Sequence, residues 1–344
     1  MKKLFLSLVA AIVVVTATYA QDVYVATLNH EGTITENYGG GAFQNAYYAA
    51  VNDDIITLSE GVFTFDTGFG SENKSITKSI TIRGTGMSED NVHGINRTTI
   101  SGIRSGKSNS LTIRGSNMTI EGIYFPNVYI SVQNSILNKC KLAKAEFDSS
   151  SDNTFTNCVI SGFRHSSGNS NNTFRNCYIE GDYYCCNAIM FNCLLKYPSS
   201  YGSISDNIFS NTNFTNCVIA SNVTLPASNK LANCVGISTN TSNTTDIFAK
   251  IPEKIACSMA TTDIFSSWSD AINTANLAPE SFELSELGNQ YRGVDNTEVG
   301  MLGGNYPYNP VVSIPRITKY DVAGKATADG KLSVNIEVTA PTTE

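Results

Sequence analysis

Charged side chains are scarce in this chain, and their scarcity narrows the range of functions. They make up 15% of the 344 residues, with 30 acidic and 23 basic side chains and a formal charge of −7, whereas ordinary globular domains carry roughly 25%. No run of lysine and arginine is present, so nucleic acid is not an expected partner. The three histidines provide few ligands for a metal site, and the single tryptophan provides little for indole stacking. We therefore expect no metal and no resident cofactor.

Long apolar runs are also missing, except at the start of the chain. Lys2 and Lys3 precede an apolar stretch from Leu4 to Val15, and small residues follow up to Ala20. This order is typical of a secretory signal peptide, which we assign to residues 1–20 with cleavage after Ala20. The stretch is too short for a comfortable membrane span. We therefore expect a protein that is secreted, periplasmic or at the cell surface, without a membrane span.

Six of the nine cysteines carry an internal repeat. They are separated by 18, 19, 16, 24 and 17 residues: Cys140, Cys158, Cys177, Cys193, Cys217 and Cys234. A large apolar residue lies three positions before each cysteine, and asparagine directly precedes five of them. An aliphatic residue lies two positions after each of the first five. Six copies of the pattern apolar-x-Asn-Cys-x-aliphatic indicate one structural unit of about 19 residues.

The phase of the repeat predicts how each unit folds. Strand side chains alternate between two faces, so Phe155, Cys158 and Ile160 can all point inward only if the chain bends after Asn157. Asparagine tolerates the left-handed backbone conformation that such a bend needs. Units stacked about 4.8 Å apart would share one core and align their asparagines as a ladder of amides. The sequence thus predicts an all-β solenoid, the parallel β-helix.

The first third of the chain fits the same interpretation. Apolar residues between positions 43 and 50 recur at helical spacing and predict a short helix that caps the open end of the stack. Short alternating strands then follow, punctuated by glycine. We predict them at Ile55–Leu58, Val62–Phe65, Ile80–Ile82, Thr99–Ile100, Leu111–Ile113 and Met118–Ile120.

Three segments of this region resemble the opening coils of pectin-lyase-like β-helix proteins: Asp54 to Thr64, Lys78 to Gly86, and Ser116 to Phe125. The likeness covers roughly residues 22–310 and implies a right-handed parallel β-helix domain over 21–310. Gln21, at the start of the mature chain, is similar to the N-termini of secreted Bacteroidetes proteins. The family's catalytic motifs are missing: we find no Gly-His-Gly element and no Arg-x-Pro-x-x-Arg element. The resemblance therefore implies a fold and little chemistry, because this fold serves many functions.

The end of the chain departs from the repeat. Residues 263–310 resemble the closing turns of secreted β-helices. Residues 311–344 then predict a C-terminal β-hairpin tail or a linker, with two strands around the turn signal Asp329-Gly330.

The cysteines admit two interpretations. Export favours disulfides, and stacked Cα atoms lie within disulfide range. Six cysteines at one inward position are better explained as a ladder of buried free thiols. We place Cys185, Cys186 and Cys257 off the ladder and leave one bridge among them open.

Short catalytic patterns in the chain are rejected as coincidences. Residues 102–108 resemble a phosphate-binding loop, but the glycine spacing is one residue short and no helix follows. Ser75 and Lys78 match a serine–lysine pattern but lie in strand-like sequence. For the pair Asp53 and Asp54 we favour a solvated turn.

One surface patch is the candidate binding site. Counted from the ladder cysteines, aromatic and charged residues take equivalent positions in three successive units, which would place them together. Aromatic faces with nearby charge suit sugar rings, although the same aromatics could simply cover the edge of the core. The patch contains Phe163, Arg164, His165, Asp182, Tyr183, Tyr184 and Tyr197.

Two classes of function remain open from the sequence. The first is a non-catalytic, exported module that binds a polysaccharide or cell-surface glycan, or another surface protein. The second is a polysaccharide lyase or glycoside hydrolase acting on an acidic polysaccharide, with calcium involved if it is a lyase. Proton abstraction beside the carboxylate of an acidic sugar needs a base and a cation that neutralises the charge. In that case the base and the cation would come from neighbouring units of the patch: Arg164 or His165 acting with Asp182, Glu180 or Lys196.

Overall fold

The computed structural model shows a strand-rich protein dominated by parallel pairing. It describes residues 24–68, 74–89, 96–104, 106–165, 169–181, 187–196, 210–239, 245–272, 278–312, 316–322, 330–331 and 334–339. The predicted signal segment, residues 1–20, lies outside them, as do Cys185 and Cys186. Within the described part of the chain, no helix is long and apolar enough to cross a membrane.

Two long sheets run the length of the described body, and a third, shorter one adjoins the second. Sheet A contains β1 (Val25–His30), β2 (Thr33–Tyr38), β3 (Ile55–Leu58), β5 (Thr81–Arg83), β9 (Thr119–Glu121), β12 (Ile136–Asn138), β15 (Thr154–Thr156), β17 (Thr173–Arg175), β19 (Ile189–Phe191), β21 (Asn213–Thr215), β23 (Lys230–Ala232) and β25 (Glu253–Ile255). Sheet B contains β4 (Gly61–Asp66), β6 (Thr98–Arg104), β7 (Lys107–Asn109), β10 (Tyr124–Phe125), β13 (Lys141–Leu142), β16 (Val159–His165), β18 (Tyr178–Gly181), β20 (Leu194–Lys196), β22 (Val218–Ser221), β24 (Val235–Ser238) and β26 (Ser258–Ala260). Sheet C contains β8 (Leu111–Ser116), β11 (Val128–Gln133) and β14 (Ala145–Phe147), and the end of β16 pairs with it.

Apart from the antiparallel strands β1, β2 and β7, neighbouring strands of these sheets pair in parallel and in register, one repeat apart. Phe155 of β15 pairs with Leu137 and Phe174 on its two neighbours in sheet A, and Ile160 pairs with Leu142 and Ile179 in sheet B. The chain thus alternates between the sheets at the period that the cysteines predict. Extensive parallel sheets with this alternation are compatible with a parallel β-helix.

The residues predicted to point inward form one continuous core. It contains the apolar residues before the ladder cysteines, the aliphatic residues after them, and the cysteines themselves. All six ladder cysteines are fully buried free thiols, which confirms the interpretation as an unbridged ladder, and burial raises the pKa of Cys140 well above its usual range. Cys257 is also free and half-buried, and it takes a seventh ladder position because Ile255 and Ser258 pair with Ala232 and Val235. Placing it off the ladder was therefore wrong.

The bend between sheets A and B has the predicted backbone. Asn157, Asn176, Asn192, Asn216 and Asn233 have φ angles of 50–56°, in the left-handed region. The predicted amide ladder is nearly absent from this bend, where the one contact in the described residues is from Asn216 Nδ2 to Asn192 Oδ1 at 3.5 Å. The amides of Asn176 and Asn233 instead bind carbonyls of a C-terminal segment of the chain.

An amide ladder does form at a second bend, where the chain returns to sheet A. There Asn153 Nδ2 donates to Asn172 Oδ1 at 3.0 Å, and the Ser135 amide donates to Asn153 Oδ1 at 2.9 Å. The preceding residues Asp152 and Asn171 have φ angles of 59° and 57°. A buried amide that spans two repeats satisfies backbone groups in both.

A C-terminal strap covers the outer face of sheet B. We give this name to residues 262–272 and 278–312, which include α2 (Trp268–Ala271) and three short 3₁₀ turns (Thr262–Ile264, Pro279–Phe282 and Gly288–Gln290). The residue after each ladder cysteine from Cys158 to Cys234 is apolar and buried beneath the strap, as Val159 and Tyr178 are. Sheet B is therefore buried on both faces there.

The strap is anchored by the asparagines of the A–B bend. Asn233 Nδ2 donates to the Arg292 carbonyl at 2.9 Å, and Asn176 Nδ2 donates to the Met301 and Gly303 carbonyls at 2.8 Å each. The later asparagine therefore binds the earlier part of the strap, and the earlier asparagine binds the later part. The strap thus runs in the opposite direction to the succession of repeats. Gly303 is required there, since a Cβ atom would lie 1.8 Å from the Glu298 carbonyl oxygen.

The N-terminal end is closed by α1 (Ala42–Ala49) and by a hairpin. The helix buries Phe43 and Tyr47 against the core, as the sequence predicted. The Lys78 ammonium donates to the Tyr47, Tyr48 and Ala50 carbonyls, at 2.6, 3.0 and 2.6 Å, and so caps the helix C-terminus. The edge of sheet A is extended by β1, which pairs antiparallel with β3, and by β2, which pairs antiparallel with β1. That hairpin was not predicted.

At the other end of the chain, β27 (Arg316–Val322) pairs antiparallel with β28 (Val334–Thr339). Gly330, the second residue of the predicted turn signal, has a φ of 79°. The domain division at residue 310 stays a prediction.

Candidate functional site

The predicted patch falls mostly outside the described residues. Asp182, Tyr183, Tyr184 and Tyr197 lie there, and only the backbone of Arg164 and His165 is described. These two residues end β16, where Arg164 pairs with Glu146 and His165 with Phe147. The backbone of these two residues therefore extends sheet C beside β14.

The outer face of sheet C carries one aromatic ring between charges of both signs. Tyr129 lies in the middle strand, β11, and its ring is half-buried. The Arg114 guanidinium lies 5.5 Å from the ring centroid, and the Tyr129 hydroxyl donates to Asp148 Oδ2. Burial and the carboxylate raise the pKa of Tyr129, so the hydroxyl keeps its proton. Glu146, exposed on the same face, pairs with Tyr129 across the sheet.

Local sequence explains this arrangement. In β8 and β11, buried aliphatic residues alternate with outward polar ones, which places Arg114 and Tyr129 on one face. The register brings Tyr129 opposite Thr112 and Glu146. A ring with a guanidinium and a carboxylate beside it can contact the C–H face of a sugar and bind its hydroxyls. Sequence reasoning missed this cluster because Arg114 and Tyr129 precede the first ladder cysteine.

A charged pair lies on sheet B. Glu180 and Lys196, which the catalytic hypothesis included, pair across β18 and β20. Lys196 Nζ lies 2.7 Å from Glu180 Oε1, and each side chain is 25% exposed. The same carboxylate accepts a hydrogen bond from the Tyr178 hydroxyl at 3.3 Å. The structure therefore brings these two residues together as a structural ion pair at the edge of the strap.

The predicted solvated turn holds for Asp53, which is exposed in a turn, but is wrong for Asp54, which is buried. Its side chain is 4% exposed, with Oδ1 accepting from His30 Nδ1 at 2.8 Å and Oδ2 accepting from the Val51 amide at 2.8 Å. His30 is 24 residues away in the chain, so local sequence gave no sign of the pair. The carboxylate raises the pKa of His30. Desolvation opposes the charge on Asp54, but the Val51 and His30 hydrogen bonds outweigh it and lower the pKa of this carboxyl.

We expect this pair to make the N-terminal end most stable in mildly acidic solution. The raised pKa of His30 stabilises the fold at low pH, and this contribution disappears as the pH rises through that pKa. The lowered pKa of Asp54 stabilises it above about pH 4, where the unfolded carboxyl ionises. His30→Asn should therefore lower the Tm more at pH 5.5 than at pH 8.5.

Thermal unfolding of the native protein and of His30→Asn, each at pH 5.5 and pH 8.5, measures this difference in Tm. Thr33→Ala, an exposed change without a titratable group in β2, is the control and should behave like the native chain at both. An equal loss of Tm for His30→Asn at pH 5.5 and pH 8.5 would contradict the expectation.

Two clefts lie near the end of the stack. One, of about 660 Å³, opens on the outer face of sheet A and is lined by residues including Phe191, Thr215 and Ile255. The other, of about 640 Å³, lies between β26 and the strap and includes Asp263 and Tyr291. Among the described residues, neither cleft is lined by a histidine or a cysteine.

The described residues contain no group of three or more His, Cys, Asp or Glu side chains that could hold a metal ion.

The chain matches no protein-family model, and no curated protein is significantly similar to it in sequence. Membership of the pectin-lyase-like proteins and a Bacteroidetes origin therefore stay predictions.

Proposed function

We propose that this chain is an exported, right-handed parallel β-helix that binds polysaccharide or cell-surface glycan without cleaving it. The signal-like residues 1–20 support export, and the cysteine repeat with its parallel sheets supports the β-helix. The protein would act outside the cytoplasm: secreted, in the periplasm or at the cell surface.

The observation that carries the binding proposal is the outer face of sheet C. It presents a tyrosine ring, a guanidinium and two carboxylates on neighbouring strands, next to the strand that ends in Arg164 and His165. Rigid strands hold these groups in place, so little conformational entropy is lost on binding. Asp182, Tyr183, Tyr184 and Tyr197 would extend the surface.

A single substitution tests this surface. Tyr129→Ala removes the ring and the hydroxyl that binds Asp148, and we expect it to weaken the binding of a retained glycan about tenfold or more. Affinity is measured by calorimetry with an oligosaccharide of the polymer that the native protein retains. Tyr306→Ala is the matched control, because Tyr306 is 79% exposed on the strap and should have no effect.

Equal affinities of the Tyr129→Ala and native proteins would mean that the outer face of sheet C does not bind the glycan.

The alternative function, a lyase or hydrolase acting on an acidic polysaccharide, makes a different prediction. There the polymer would be shortened, and calcium would be required if the reaction were a lyase reaction.

A further inference from the structure

The last position of the cysteine ladder differs from the others because solvent can reach it. Cys257 is half-buried, whereas Cys234 in the preceding repeat is fully buried. The register of the strands on either side of these two residues stacks one cysteine on the other. Their thiol groups are hydrogen-bonded to each other. Two thiols therefore meet at the accessible end of the ladder that the structure describes.

A third sulfur atom lies in the same repeat. Met259 takes the position two residues after the ladder cysteine, where the first five repeats have an aliphatic residue. It pairs across the sheet with Gly236, which lies two residues after Cys234. A Cβ atom at Gly236 would lie 2.6 Å from Met259 Sδ. The thioether therefore fills the space that a side chain at Gly236 would occupy, on the core side of the strand that holds Cys257.

The spacing of stacked strands suits a metal ion between the two thiols. Adjacent strands lie about 4.8 Å apart. A cation in line between two thiolates, with metal–sulfur bonds of about 2.3 Å, separates the sulfur atoms by about 4.6 Å. A disulfide would require them to approach to about 2 Å. Thiolates and thioethers are the ligands that a soft cation such as Cu(I) selects, so the last repeat offers suitable ligands at a suitable spacing.

The inner ladder positions are poor sites for the same ion. A thiol must lose its proton to bind a metal, and the resulting charge is costly in an apolar interior. Cys140 is fully buried there, and burial raises its pKa. The hydrogen bond to Cys234 and burial also raise the pKa of Cys257, so this pair stays protonated without a metal. Its partial exposure, however, lets an ion enter and leaves the complex in contact with water.

We propose that Cys234, Cys257 and Met259 form a binding site for Cu(I) at the end of the thiol ladder. The two thiols bind the ion as thiolates and release two protons, and no oxidation state changes. The Met259 thioether supplies the third ligand. The scarcity of histidine does not oppose such a site, because all of its ligands are sulfur atoms. The inference does not depend on glycan binding.

The test is a titration of the reduced protein with Cu(I) in the absence of oxygen, in competition with a coloured Cu(I) chelator. Cys185 and Cys186, which lie outside the described residues, are replaced by serine in every sample so that they do not compete. We expect this background protein to bind one Cu(I) per chain. Adding Cys257→Ser should weaken the binding at least tenfold, and adding Met259→Leu should weaken it less.

Ser258→Ala, a change at the exposed residue between the two ligands, is the matched control and should leave the affinity unchanged. Unchanged affinity after Cys257→Ser, or no binding by the background protein, would overturn the site. Unchanged affinity after Met259→Leu would overturn the thioether as a ligand.

Thermal unfolding and X-ray absorption give two further readouts. Cu(I) should raise the Tm of the background protein, because a ligand that binds only the folded state stabilises it, and should not raise that of the Cys257→Ser protein. The absorption spectrum of the bound ion should show sulfur neighbours alone. Nitrogen or oxygen neighbours, or an equal rise of Tm in the Cys257→Ser protein, would refute the site.

Discussion

Replacing Phe174 by alanine is expected to lower the free energy of unfolding by about 3–5 kcal/mol, the usual cost of removing a buried phenylalanine. The side chain is 1% exposed, and its ring stacks on Phe155 with centroids 4.8 Å apart and planes 10° apart. Met190 and Phe155 flank it in the register of sheet A. Rigid strands on both sides limit collapse into the cavity, so the cost should lie toward the upper end. Denaturant unfolding followed by circular dichroism measures it.

Ile136→Ala is the control for this prediction. Ile136 belongs to the same sheet but is 48% exposed on its outer face, so its loss should cost about 0.5 kcal/mol or less. Similar losses for the two variants would mean that the assigned inner and outer faces are wrong. A reversed order would indicate a register shifted by one residue, because such a shift exchanges the two faces.

Replacing Asn176 by alanine should cost about 2–4 kcal/mol and release the strap. Its amide is 6% exposed and donates to two strap carbonyls, which would be left buried without these donors. Its φ of 50° is also unfavourable for alanine. Hydrogen exchange should show faster exchange at residues 299–303 than in the native protein, and limited proteolysis should cleave the strap earlier.

Asn171→Ala separates the contribution of the strap hydrogen bonds from that of the left-handed backbone conformation. Asn171 has a φ of 57° and donates only to the exposed Asp152 carboxylate, so its replacement should cost about 1 kcal/mol, mostly from the backbone. The difference between the variants gives the contribution of the strap hydrogen bonds. If both cost the same, the asparagines of the A–B bend serve the backbone alone, and the strap is held by apolar contacts.

Much of the parallel architecture could be predicted because its signals are local. The spacing of the cysteines gives the period, and the phase change after Asn157 gives the bend. The second bend was missed although its signal is present: Asn, Asp or Ser lies six positions before each ladder cysteine, as Asp152 and Asn171 do. Cys257 was missed because Lys254 and Ala256 replace the apolar residue and the asparagine of the pattern.

Features that depend on distant contacts could not be predicted in this way. The strap has no period, and Asn176 lies 125 residues from Met301. One hint was available, since the residue after each ladder cysteine from Cys158 to Cys234 is apolar, as expected for a strand buried on both faces. Asp54 and His30 meet through the pairing of β1 with β3, which no local pattern indicated.

The candidate site could be predicted only in part. Offsets from the cysteines indicated a patch around Arg164, and the register places that residue beside Glu146 on sheet C. The tyrosine–guanidinium cluster at Tyr129 depends on β8 and β11, whose register no repeated cysteine marks. This cluster follows only from the pairing of those strands.

The most direct measurement of the central claim is to incubate the mature protein with a panel of pectic, host and algal polysaccharides, with and without calcium. Retention on immobilised polymer and shortening of the chains are scored in parallel. We predict retention of at least one polymer with its length unchanged, in both the presence and the absence of calcium. Depolymerisation of any polymer would contradict the non-catalytic function. Absence of both retention and cleavage would contradict glycan binding and would indicate another surface protein as the partner.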